Sequence, residues 1–150
     1  MGFKVFYVIH KRGKMGGSAQ NIRYIQRDEA SHLRIFNSMW HDLRKERPEL
    51  FTTEVLKDCR EAIKQAALME VQWGQHIIQG GILGLTNEIV EGGVKFNANQ
   101  VVRAVGLEPV FPEATKDPLA WTDTYLREHG IETNFFEQKV LDYEDKPLEW

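Results

Sequence analysis

Arg27-Asp28-Glu29-Ala30-Ser31-His32-Leu33 sets a carboxylate and an imidazole three residues apart inside a region of strong helical periodicity. Ile22, Ile25, Glu29, His32, Phe36, Met39 and Leu43 step by 3, 4, 3, 4, 3 and 4 residues, the spacing of one helix face. Five of these seven residues are large and apolar. The spacing therefore predicts a core-facing stripe on a long helix, interrupted by Glu29 and His32. A buried ionised carboxylate is costly unless it is paired or bound to a metal. A Glu-x-x-His pair facing the inside of a helical bundle is the element that carboxylate di-metal proteins use twice. Here it occurs once.

The flanks supply the boundaries of this helix. Ser18 is a good N-cap, and Gly13, Gly16 and Gly17 break the pattern before it. Arg47-Pro48 ends it, because proline disfavours helix at the preceding residue. The predicted span is 19–46, about 42 Å at about 1.5 Å per residue. Upstream, residues 3–12 run Phe3, Val5, Phe6, Tyr7, Val8, Ile9 and then turn basic at Lys11 and Arg12. That reads as the end of a buried helix whose beginning is absent, with its cations complementing the dipole. Downstream, Leu56, Cys59, Ile63, Ala66, Glu70, Trp73 and Ile77 predict a second core stripe on a helix over 53–79, which Gly80-Gly81 ends. A third helix follows the N-cap Thr86 and ends at Gly106, with Gly92-Gly93 weakening its first turns. Pro109, Pro112 and Pro118 mark an irregular connection, and a short helix is expected over 121–128. The acidic end, Asp142 to Trp150, has too little apolar surface to fold alone and reads as a mobile tail. The expected fold class is all-α, with 1–130 a helical half-domain and 131–150 the tail.

Composition narrows the functional classes. A net charge of -3 at 150 residues gives no basic surface for nucleic acid or an anionic membrane. No apolar run approaches the roughly 20 residues needed to span a bilayer. Met1-Gly2-Phe3-Lys4-Val5 lacks a secretory leader. Cys59, the single cysteine, allows neither an internal disulfide nor a thiolate cluster. It reads as a buried structural thiol in a chain of the reducing cytoplasm.

Glu and neutral His suit iron, manganese or zinc alike. Asp28 reads either as an acceptor for a ligand imidazole or as a surface charge beside Arg27 or Arg34. Glu70 reads either as a further acidic ligand or as the partner of a cation or of His76. His10, His41 and His129 have no companion at ligand spacing and read as surface or structural residues. Met15, Met39, Met69, Trp40 and Trp73 read as core filling. A di-metal carboxylate site takes two Glu-x-x-His helices and a Glu from each of two others. This chain is short of that set, so a second polypeptide completes the site or there is none.

These residues resemble a known family. Gly13-Lys14-Met15, Gly17-Ser18-Ala19 and Ile22-Arg23-Tyr24-Ile25-Gln26-Arg27-Asp28-Glu29 with His32-Leu33 closely resemble the radical-generating small (beta) subunit of class I ribonucleotide reductase. The likeness continues through Arg47-Pro48-Glu49-Leu50, Gln65-Ala66-Ala67 with Glu70 and Trp73, Gly84-Leu85, Asn97-Ala98-Asn99 and Val105-Gly106-Leu107. The resemblance implies a ferritin-like bundle of which this chain is the C-terminal half. It implies Glu29 and His32 as ligands in an oxygen-activating di-iron or manganese–iron cluster. Asp28, Glu137 and Tyr143 would serve radical transfer, and Phe3 and Ile25 would line the apolar pocket beside the cluster. The end of the chain, Leu148 and Trp150, would dock into the large (alpha) subunit.

Family members are much longer than this chain, and the ligands it lacks lie in their N-terminal part. The resemblance therefore implies a split small subunit, with a truncated gene or misassigned start as the competing explanation. An N-terminal fragment would share the cluster, the subunit would dimerise, and the whole would serve ribonucleoside-diphosphate reduction. Alone, the chain is expected to expose Phe3, Phe6 and the metal-facing stripe. The rival readings are a ferritin-like ligand-binding oxidase and a metal-free helical interaction protein.

Overall fold

A computed structural model describes residues 2–123. Among the described residues, the long elements are the helices α1 (Gly2–His10), α2 (Gly16–Glu46), α3 (Thr53–Ile77) and α4 (Asn87–Ala104). Single 3-10 turns, Pro48–Leu50 and Ile78–Gly80, follow α2 and α3. The all-α expectation holds. Among the described residues, the extended pairing is an isolated bridge between Ile82 and Leu85. The expected tail over 131–150 and most of the expected helix over 121–128 lie outside the described residues, although 121–123 are helical.

The ends of the helices follow local chemistry. Thr52 Oγ1 accepts from the Val55 N–H at the start of α3, and Thr86 Oγ1 accepts from the Ile89 N–H at the start of α4, both at 3.3 Å. These hydroxyls satisfy donors that the first turn leaves unpaired. Helix α4 ends in a paired-bond C-terminal motif. Leu107 N–H donates to Val102 O at 2.8 Å and Gly106 N–H to Arg103 O at 3.0 Å, with Gly106 at φ 75°. The start of α2 differs from the sequence reading. Ser18 is not its cap: the helix begins at Gly16, and Met15 before it sits in the left-handed region at φ 54°. Gly16 and Gly17 are themselves helical, and the reversal is made at Gly13, φ 72°.

The core lies between α3 and α4 and is closed by the segment after α4. Ala67, Val71 and Ile78 meet Val90, Val94, Ala98 and Val102, with Val110, Phe111 and Leu119 folded back over them. At Gly74 a Cβ would come within 2.7 Å of Val90 Cγ1, so the glycine lets the two helices approach closely. Asn99, 1% exposed, pins the returning segment. Its Nδ2 donates to Phe111 O at 2.7 Å and Ala114 O at 3.2 Å, and its Oδ1 accepts from the N–H groups of Val110 and Phe111 at 3.1 and 3.0 Å.

Both stripes that the periodicity assigned to the core are largely uncovered in this chain, with Ile22 on α2 and Leu56, Cys59 and Ile63 on α3 half-buried. On α2, Ile25, Phe36, Met39 and Leu43 are exposed. On α3, the predicted stripe has Ala66, Glu70, Trp73 and Ile77 exposed, and the face that packs on α4 is that of Ala67, Val71 and Ile78. Met15 and Met69 are exposed as well, so they are not core filling here. Cys59 is half-buried rather than buried. Periodicity reports that a face is apolar; α3 has apolar residues on two faces, and this chain covers one of them. Phe3 and Phe6 are half-buried against the expectation of exposure, because α1 packs on α2.

Candidate metal half-site on the long helix

Helix α2 is held at two places. Near its start, Tyr7 of α1 is fully buried and its hydroxyl donates to Gln26 Oε1 at 2.7 Å. Burial pushes the Tyr7 phenol up to about 12, with the Arg23 guanidinium acting in the opposite direction. Near its end, Trp40 Nε1 donates to Val105 O at 3.0 Å and His41 Nε2 to Ala104 O at 2.8 Å. A carbonyl only accepts, so this His41 nitrogen carries its proton. The structural reading of His41 is thereby met. Between the two ties, residues 27–36 are exposed apart from Ser31.

Glu29 and His32 stand in that span, one turn apart, with Glu29 Oε2 3.3 Å from His32 Nδ1. Their side chains are about half exposed, 52% and 58%. They point away from the chain's own core, yet not onto a polar surface. Ile25 and Phe36 lie on the same face. The two donor atoms suit one ion: ligands at about 2.0–2.2 Å from a metal and roughly at right angles stand about 3 Å apart. Carboxylate and imidazole together fit iron or manganese. Among the described residues no group of three or more His, Cys, Asp or Glu is assembled around an ion. The pair thus stands without a third such group beside it among the described residues, on the uncovered apolar face.

The other predicted site residues are placed as follows. Asp28 faces Arg27, Oδ1 to Nε 3.5 Å, with both side chains mostly exposed. This is the surface-charge alternative, since the contact is made on its own helix. Ile25 lies one turn before Glu29 and is exposed. Phe3 lines a cleft of about 480 Å3. Lys4, Gln26, Phe96, Asn97, Gln100, Asp117 and Asp123 complete its wall. In that wall Lys4 pairs with Asp117, whose other oxygen accepts from the Leu119 N–H at 2.8 Å. On α3 the His76 ring stacks on Trp73, centroids 5.9 Å apart, and Glu70 is exposed. Glu137, Tyr143, Leu148 and Trp150 lie outside the described residues. Tyr7, Gln26 and Asn99 stand in the sequence reading only within an apolar run or family-like motifs, with no role given to their polar groups. A polar residue within an apolar helical face, as at Tyr7 and Asn99, was the available signal.

The long helices and their return segment define a chain of the ferritin-like helical class. The chain belongs to the family of ribonucleotide reductase small chains, whose family model matches residues 1–118. It is 35% identical over 144 residues to the ribonucleoside-diphosphate reductase subunit beta of Treponema pallidum, covering 95% of this chain and 41% of that protein. The namesake subunit of Aquifex aeolicus is 36% identical over 120 residues, covering 79% of this chain and 17% of its own length. Among solved structures, the ribonucleotide reductase R2 subunit from Clostridium botulinum superposes with a TM-score of 0.80 at 35% identity. That match covers 83% of this chain and 39% of the other. A putative class I ribonucleotide reductase from Bacillus halodurans gives 0.79 at 33% identity, covering 83% and 44%. The chain thus spans about two-fifths or less of the length of the curated relatives named here.

No helix among the described residues is long and apolar enough to cross a membrane.

Proposed function

We propose that this chain is one component of a ribonucleoside-diphosphate reductase small subunit and contributes half of its di-metal site. The observation that carries this reading is the Glu29–His32 pair, 3.3 Å apart on an uncovered apolar face, in a chain whose family model spans residues 1–118. Glu29 and His32 would hold one edge of a di-iron or manganese–iron cluster. When bound, the cluster supplies oxygen activation and an oxidising equivalent. The remaining ligands come from an N-terminal fragment of the small subunit, whose helices bury the stripes of α2 and α3. Burying Phe36, Met39 and Leu43 removes water from beside the pair, which strengthens every electrostatic interaction there.

Asp28, one residue from Glu29, serves the radical-transfer path as a hydrogen-bond acceptor. Ile25 and Phe3 contribute apolar wall beside the cluster. Glu137 and Tyr143 relay the oxidising equivalent toward the large subunit, and Leu148 with Trp150 anchors that contact, because one buried aromatic can dominate a small interface. The assembled small subunit is a dimer working in the cytoplasm.

The test is large-subunit-dependent formation of deoxyribonucleotides by the assembly that contains this chain. Glu29→Ala and His32→Ala should each abolish it, and removal of residues 143–150 should abolish large-subunit binding. Full turnover with Glu29→Ala would refute the reading.

A further inference from the structure

The exposed span of α2 that carries Glu29 and His32 has its upstream tie at Gln26, and the donor in that tie is the buried Tyr7. Gln26 and Glu29 are three residues apart and so share a helix face. Tyr7 is fully enclosed, and its 2.7 Å hydrogen bond crosses from α1 to α2. The bond is part-buried, and a hydrogen bond between two helices there restrains the rotation of one against the other. The downstream tie, at Trp40 and His41, lies roughly 20 Å further along the helix at about 1.5 Å per residue. The upstream bond is therefore the one that sets the angle at which the next turn presents its donors.

We infer that Tyr7 is a positioning residue for the Glu29–His32 pair, acting through Gln26. This rests on the metal half-site reading above. Groups that orient ligands without touching the metal typically change metal affinity 10- to 100-fold when removed. Tyr7→Phe keeps the ring and its packing while deleting the donor. Gln26→Met keeps the helix and deletes the acceptor.

The experiment is manganese(II) titration of the native assembly that contains this chain, followed by the electron paramagnetic resonance of the free and bound ion. Wild type, Glu29→Ala, Tyr7→Phe, Gln26→Met and the double variant are compared, with thermal midpoints recorded alongside. The expected result is loss of a bound ion in Glu29→Ala and about 10-fold weaker binding in each single variant. The double variant should be no weaker than either single one, because both delete the same bond. Conversely, wild-type affinity and an unchanged bound-manganese signal in Tyr7→Phe, beside a clear loss in Glu29→Ala, would overturn the positioning role alone. Affinity losses that add in the double variant would do the same, as would a lowered midpoint with unchanged affinity. Unchanged binding in Glu29→Ala would overturn the half-site reading and this inference together.

Discussion

Replacing Phe36 and Met39 together by glutamine separates two kinds of apolar residue in this chain. Phe36 is 65% exposed and Met39 59%. Fully burying such a side chain stabilises by about 1.5–3 kcal/mol, so roughly 1–2 kcal/mol per residue is unrealised until something covers α2. Glutamine is a good helix former, so the variant should shift the unfolding free energy of the isolated chain by no more than about 0.5 kcal/mol, the usual range for surface changes. Its association with the rest of the small subunit should instead weaken by about 2–4 kcal/mol, or roughly 30- to 700-fold at 1.4 kcal/mol per decade. Phe111→Ala is the opposite control. Phe111 is 5% exposed within the chain's own core, and its truncation should cost the chain about 3–5 kcal/mol. Urea denaturation followed by circular dichroism measures the first quantity, and titration calorimetry of assembly the second. A double variant that destabilises the isolated chain as much as Phe111→Ala, or that assembles with unchanged affinity, would refute the reasoning.

Asn99→Ala strands the N–H groups of Val110 and Phe111 and the carbonyls of Phe111 and Ala114. Each buried group left unsatisfied costs about 1–3 kcal/mol, so with relaxation and entering water the expected loss is about 3–5 kcal/mol, read from the urea midpoint; a loss under about 1 kcal/mol would show that Asn99 does not pin the return segment. The Tyr7 phenol has a folded value near 12 against an ordinary 10.0. Raised by burial, it favours the neutral form in the fold, so its contribution is complete below pH 10 and is lost as pH rises toward 12. Wild type should therefore lose stability more steeply across that window than Tyr7→Phe, and parallel curves would contradict a buried neutral phenol.

The helices were legible in the sequence because their boundaries rest on local chemistry. Thr86 and Arg47-Pro48 act within a turn of themselves, and the structure places helix ends beside both. The start of α2 was misread because three glycines close together look like one interruption, whereas of the three only Gly13 lies in the turn, with Met15 also left-handed just before the helix. The 3-4 spacing named apolar faces correctly but could not say what covers them. On α2 and α3 the predicted stripes are largely open, and α3 packs through Ala67 and Val71, a face whose small residues carry a weaker signal than Trp73 or Ile77. Glu29 and His32 were legible as a pair because their spacing is a local property of the helix. Tyr7 with Gln26, and Asn99 with Phe111, were not, since those bonds join residues that only the fold brings together.

Under the proposed function, Glu29 and His32 are one part of a ligand set that other polypeptide completes. The most direct measurement is metal content by atomic emission after loading with iron(II) or manganese(II), for the chain alone and for the assembly containing it. The account predicts no stoichiometric metal on the isolated chain, and on the assembly two ions per copy that Glu29→Ala reduces. Stoichiometric metal held by the isolated chain, or an assembly whose content is indifferent to Glu29→Ala, would contradict it.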